Sequence, residues 1–317
     1  MPWATLLVLL LAFAGLLVVL YPSAAYWYSQ FQQSMLIEQV DGVVAEGPAD
    51  ALAQEIDRAR AYNETLVGGA TVSSASRLPQ ADAQASGAFD YRSLLLATES
   101  GVMGRLKIPS ISVELPIYHG TDDETLTRGV GHLEGTALPV GGPSTHSVLT
   151  AHRGLPSAEL FNNLDRVRVG DTFTIEVFGE VLSYRVIDTR VVEPDQTESL
   201  FPQVGRDLVT LVTCTPLGIN THRILVTGER ITPTPIADIE NAGRSPEIPG
   251  FPWWAVGLAA GIAAIATYLW WAGRPTTAPG EPGTTNEGRS SVPDTDPGAR
   301  GGPPLSALPP GGGAGAP

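Results

Sequence analysis

Two long apolar runs bracket the chain. The first extends from Met1 to Leu20 without a charged side chain, and the second from Phe251 to Ala272. About 20 consecutive apolar residues cross the ~30 Å hydrocarbon core of a bilayer as a helix, so each run predicts a membrane span. Trp253, Trp254, Trp270 and Trp271 bracket the second run, and Tyr21, Tyr26, Trp27 and Tyr28 follow the first, as aromatic belts at the two interfaces do. The first run also admits a second reading, a cleaved signal peptide, with Pro22-Ser23-Ala24-Ala25 offering small residues for cleavage. Its length and its lack of a basic leader favour an uncleaved anchor. Two spans put both termini on one side and residues 22–250 on the other.

Between the spans the periodicity changes three times. Over 36–63, Leu36, Val40, Val43 and Val44 recur at helical spacing, as do Leu52, Ile56 and Ala59, with Gly47-Pro48 between the sets. Two short helices are predicted, forming a stalk. Residues 64–98 are rich in Gly, Ala, Ser and Gln and hold no sustained period, which reads as a linker. From residue 99 to 232 short alternating or β-branched runs take over. They are Arg105–Ile108, Val113–Ile117, Ser147–Thr150, Thr172–Val177, Leu182–Ile187, Leu208–Thr213 and Arg223–Thr227. Turn signals stand at Gly170-Asp171 and Gly179-Glu180. Short helices are expected at Asp122–Leu126 and at Ser157–Leu164, the latter with Ser157 as its cap. So many short strands predict a mainly β domain, a closed barrel or a sandwich. Residues 233–250 read as a linker, 251–272 as the second span, and 273–317 as a disordered Pro/Gly-rich tail.

Charge narrows the partners. With 19 basic and 33 acidic residues the chain has no positive field to neutralise phosphates, so nucleic acid is not expected to bind. Arg244 and Arg274 flank the second span almost evenly, and basic residues therefore give no vote on orientation.

The candidate chemistry centres on one thiol. Cys214, the single cysteine, lies in Thr210-Leu211-Val212-Thr213-Cys214-Thr215-Pro216. It has no intrachain partner for a disulfide. Arg223 begins the next strand, and His152 lies in Leu149-Thr150-Ala151-His152-Arg153-Gly154. A thiol near an imidazole is a candidate nucleophile with its proton shuttle, and a guanidinium is a permanent donor to a developing oxyanion. The bland alternatives are a buried small hydrophobe, a surface arginine and a turn-capping histidine. His119, His132, His146 and His222 show no ligand spacing, and no metal or cofactor is expected.

These stretches, with Gly131-His132-Leu133-Glu134-Gly135-Thr136, resemble the sortase family of cysteine transpeptidases, and most closely its class C, pilus-assembling branch. The resemblance covers roughly residues 36–232. It implies an eight-stranded sortase-type β-barrel with short helices, flanked by N- and C-terminal transmembrane helices. It also implies catalytic roles for His152, Cys214 and Arg223, with Thr213, Thr215 and Leu217 as candidate substrate contacts. It implies that the chain cleaves an LPXTG-type sorting signal, holds the acyl group on Cys214 and passes it to a pilin lysine. Partners would then be pilin subunits or other LPXTG-bearing surface proteins, at the membrane of a Gram-positive cell. The domain would be extracellular and the termini cytoplasmic. Residues 64–98 would correspond to the class C lid. The usual Asp-Pro-aromatic anchor is absent, and Arg77-Leu78-Pro79-Gln80-Ala81-Asp82 stands in its place. Leu217 likewise replaces an aromatic residue common in that class.

Three other functions stay open. One is transfer to a cell-wall precursor amine. Another is an L,D-transpeptidase, to which His119-Gly120-Thr121 is faintly similar, although its nucleophile follows Gly rather than Thr. The third is a non-enzymatic, membrane-tethered β-domain with an inert Cys214.

Overall fold

A computed structural model describes residues 3–66, 89–96, 98, 100–246 and 248–274. The candidate lid segment therefore lies largely outside the described residues, as does the tail beyond 274. The chain opens with α1, Trp3–Glu46, and α2, Ala49–Thr65. The break between them falls at Gly47-Pro48, where Pro48 is extended (φ −61°, ψ 127°). The stalk differs from expectation in one respect: the first span does not end before it. α1 runs through Pro22 without interruption, even though proline removes one backbone hydrogen bond from the ladder.

The barrel is built from β1 (Val102–Ile108), β2 (Val113–His119), a short helix α3 (Asp123–Arg128), β3 (Val130–His132) and β4 (Thr145–Thr150), then β5 (Thr172–Val177), β6 (Glu180–Val192), β7 (Asp207–Thr215) and β8 (His222–Arg230). Two helices follow, α4 (Ile236–Asn241) and α5 (Trp253–Ala272). The eight strands close in the order β1-β2-β3-β4-β7-β8-β6-β5. The pairings β2–β3 and β4–β7 are parallel, and the rest are antiparallel.

Two local expectations are corrected and one strand is added. Ser157–Leu164 does not form an α-helix. Leu160 has φ 41°, Phe161 N–H bonds to His152 O (3.2 Å), and only a 3₁₀ turn at Leu164–Arg166 is helical. The tertiary bond to the His152 backbone displaces the local helix ladder. β3 is three residues long, too short to carry a period. Residues 233–250 include α4.

Alternation along the strands sorts side chains between two faces. Leu149, Val209, Leu211, Ile224 and Val226 join the main core inside the barrel, with Phe161, Phe173 and Tyr184. Phe173 and Tyr184 stack at 5.4 Å, and a Cβ on Gly228 would collide with the Phe173 ring, so the strand passes there only as glycine. On the outer face Leu133, Val148, Leu200, Val212 and Leu225 form a second, smaller cluster, with Val192 against it.

The helices are fastened to this barrel and to each other. Arg105, buried in β1, pairs with Glu114 and with Asp41 of α1 (2.9 Å), and donates to Arg244 O (2.9 Å). Gln33 Nε2 donates to Arg128 O (3.1 Å). Asn63 of α2 both donates to and accepts from the Leu138 backbone (3.1 and 2.7 Å). α1 and α5 pack closely: a Cβ on Gly261 would collide with Leu16, and one on Gly257 would lie 3.4 Å from Leu20. Small residues four apart on an apolar helix allow such close approach of two spans.

Candidate active site

Cys214 and Arg223 are direct cross-strand partners on β7 and β8. Both share parity with Val212 and Leu225, so both side chains stand on the outer face of the barrel, beyond the end of the small apolar cluster. The parallel β4–β7 ladder ends at the pair Thr150 and Val212. Ala151 N–H extends it by bonding to Val212 O (3.2 Å), and the same register continued by one residue brings His152 alongside Cys214. Cys214, Arg223 and the segment that carries His152 thus lie at one end of three adjacent strands.

Their surroundings differ. Cys214 is half-buried. The Arg223 guanidinium donates from Nη1 to Asn220 O (3.0 Å) and His222 O (3.1 Å), which holds it against the carbonyls of the β7–β8 turn. His152 is half-buried, and burial lowers its pKa because the imidazolium loses hydration. The exposed Asp123 carboxylate, 4.0 Å from Nε2, acts in the opposite direction.

The flanking residues divide by role. Thr213 is a correction. Its side chain is 1% exposed and its hydroxyl donates to Ala151 O (2.8 Å), so it ties β7 to the His152 strand and is closed to a substrate. The Thr215 hydroxyl accepts from Arg153 Nη1 (3.0 Å). Leu217 is 54% exposed and lies against Gly154, where a Cβ would come within 2.8 Å of it. Thr215 and Leu217 therefore line the rim of the site.

A clamp absent from the sequence reading holds the histidine loop. Buried Arg153 pairs with Asp165 (2.9 Å), donates to Asn162 O (3.0 Å) and reaches Thr215. Asn162 accepts from Gly154 N and donates to the Tyr26 hydroxyl of α1 (2.8 Å). The adjacency of Arg153 to His152 was the only signal in the sequence. Asp165, Asn162 and Tyr26 carried none.

Three of the other four histidines bond to backbone carbonyls. His132 Nε2 donates to Ala137 O (2.8 Å) and His119 Nε2 to Leu94 O (2.8 Å). His146 Nδ1 donates to Phe201 O (3.1 Å), which leaves Nε2 to accept from Thr210 (2.7 Å), itself 2.9 Å from the Thr227 hydroxyl. His222 lies exposed beside Thr221. A cavity of about 260 Å³ between α1, β1 and β5 is on the opposite wall, since β1 lies halfway round the barrel from β7.

A half-buried thiol, a permanent cation and an imidazole above an apolar floor are suited to acyl transfer through a thioester. The comparisons agree in kind. Residues 106–231 match the model of the sortase domain. Among solved structures, sortase C-1 of Actinomyces oris is 49% identical, with a TM-score of 0.53, covering 58% of this chain and 99% of that one. Sortase C1 of Streptococcus agalactiae is 40% identical, with a TM-score of 0.55, covering 62% and 98%. Sortase D of Bacillus subtilis is 30% identical over 132 residues, 41% of this chain and 64% of its own length. The chain thus spans less than two thirds of that curated relative. It belongs to the sortase family and, within it, to the class C sortases. Its two apolar helices fit a membrane-anchored member of that family.

Proposed function

We propose that this chain is a membrane-bound cysteine transpeptidase that joins pilin subunits. The observation that carries this reading is the register that sets Cys214 opposite Arg223 and continues toward His152 on one outer face. Sortase C of Streptococcus pneumoniae, 39% identical, is described as having pilin substrate specificity, and this supports the same substrate class here. Residues 99–232 form the catalytic unit, presented outside the cell with both termini in the cytoplasm.

In the first half-reaction His152 takes the proton of the Cys214 thiol, and Sγ attacks the Thr carbonyl carbon of an LPXTG-type signal. Arg223 donates to the oxyanion. The C–N bond to Gly breaks, and His152 returns the proton to the leaving amine. In the second half-reaction a lysine Nζ attacks the thioester, the C–S bond breaks, and the displaced proton restores the thiol. Thr215 and Leu217 bound the acyl donor, while Thr213 and Arg153 hold the loops in place.

The test is intact mass of the full chain in detergent after incubation with an LPXTG peptide. An acyl adduct is expected on the wild type and none on Cys214→Ala. Release by a pilin-derived lysine peptide, but not by a cell-wall precursor amine, assigns the acceptor. No adduct on the wild type would sink the reading.

A further inference from the structure

The membrane-facing end of the barrel can be located from contacts that α1 makes on its way up. Leu20 ends the first apolar run, and Tyr26 is six residues on, about 9 Å along the helix axis. Trp27 is level with the start of α5: its ring lies 6.2 Å from that of Trp254, and its Nε1 donates to Gly250 O (2.7 Å). Aromatic residues at the start of two neighbouring spans mark the bilayer interface. At this same level α1 touches the barrel. Tyr26 binds Asn162, and Gln30 donates to Glu159 (3.3 Å).

From Asn162 the connection to the thiol is short. Asn162 holds Gly154 and Arg153, Arg153 holds Thr215, and Leu217 covers Gly154. The β7–β8 turn, Pro216-Leu217-Gly218-Ile219-Asn220, is therefore at the same end of the barrel as the interface. It carries no charge, and Leu217 and Ile219 are 54% and 67% exposed. Single exposed aliphatic residues are ordinary on a soluble surface. Here they adjoin a loop bonded to Tyr26, which puts them beside the aromatic belt.

We infer that the β7–β8 turn is a lipid-contacting element, with Ile219 seated in the interface of the bilayer that α1 and α5 cross. The partner is the lipid surface itself. Contact there sets the mouth of the thiol site at the membrane surface. The inference rests on α1 and α5 spanning a membrane, and it is independent of the chemistry at Cys214.

The other end of β7 supplies an internal control. Val204, 97% exposed, precedes Asp207, and β7 runs nine residues from Asp207 to Thr215. At ~3.3 Å per residue the two ends are separated by roughly 26 Å along the strand. Val204 is an aliphatic residue more open than Ile219 but at the opposite end of the strand from the interface.

The experiment uses the full chain with Cys214→Ala, and either Ile219→Cys or Val204→Cys carrying an environment-sensitive fluorophore. Each labelled chain is reconstituted into phosphatidylcholine–phosphatidylglycerol vesicles with and without lipids brominated on the acyl chains. Thermal unfolding matched to the parent establishes that the labelled chains are folded. Loss of fluorescence at Ile219 and none at Val204 is expected. Equal quenching at both sites, or none at Ile219, overturns the inference. Shielding of the Ile219 label by an LPXTG peptide without lipid quenching assigns the turn to substrate and overturns it as well. Neither result depends on turnover, so failure here and failure of the transpeptidase reading are separable.

Discussion

His132 shows what a single buried residue does to the whole. It is fully buried, with Nε2 donating to Ala137 O and Nδ1 accepting from the Tyr91 hydroxyl (2.8 Å). Burial, the largest cause, drives its pKa from 6.5 to about 3. Between those values the unfolded chain holds a proton that the folded chain refuses, so stability falls as pH drops through that window and is flat above it. The slope from this group approaches ~1.4 kcal/mol per pH unit. Urea unfolding of the detergent-solubilised chain between pH 7 and 4 should show this loss, and His132→Gln should make the dependence shallower. His119 and His146 shift in the same direction for the same reason. At this scale Cys214, His152 and Arg223 could be named as candidates because each is a chemistry-bearing type inside a distinctive run. Asp123, Asp165 and Asn162 were not, because their value comes from partners the chain meets only after folding. Thr213 was misread as a contact because sequence gives its neighbour but not its face.

Among elements, the β6–β7 connection depends on one side chain. His146 holds the Phe201 carbonyl on one ring nitrogen and the Thr210 hydroxyl on the other. Leu200, next to Phe201, roofs the apolar cluster that leads to Cys214. His146→Ala removes the donor to the Phe201 carbonyl and leaves the Thr210 hydroxyl with Thr227 alone, at a cost of ~1–3 kcal/mol. The expected result is faster hydrogen exchange over residues 198–203 and a raised KM for the sorting peptide, with the β7–β8 ladder still protected. Most strands were legible from β-branched runs, whereas β3 was too short to announce itself. Ser157–Leu164 had a helical pattern that a bond to the His152 backbone overrode. The continuity of α1 through Pro22 was hidden because proline ordinarily marks a boundary.

At the scale of the molecule, α1 is more than a tether. It touches the histidine loop through Tyr26 and Gln30, α3 through Gln33, and β1 through Asp41. A chain that lacks residues 1–35 keeps the Asp41–Arg105 pair but loses the three lower contacts. It should fold, with kcat/KM for an LPXTG peptide reduced several-fold relative to the full chain in detergent, in keeping with ~1–2 kcal/mol of lost positioning. Equal rates for the two chains would show that the lower contacts do not hold His152. The two apolar helices were legible from apolar length alone, but the contact of α1 with the histidine loop was not, because it joins residues more than a hundred positions apart.

The parallel β4–β7 pairing has a consequence for the order of events during biogenesis. Its partners, Thr145 and Asp207 at one end and Thr150 and Val212 at the other, are 62 residues apart throughout. Pairings with such long sequence separation close late and slowly, since the intervening chain must be ordered first. The histidine is synthesised well before the cysteine, and the two come together only when this ladder zips. A chain whose β4–β7 ladder is still open therefore holds Cys214 apart from His152. Only completion of the barrel sets the two at one end of adjacent strands, so the site is the last part of the fold to be assembled.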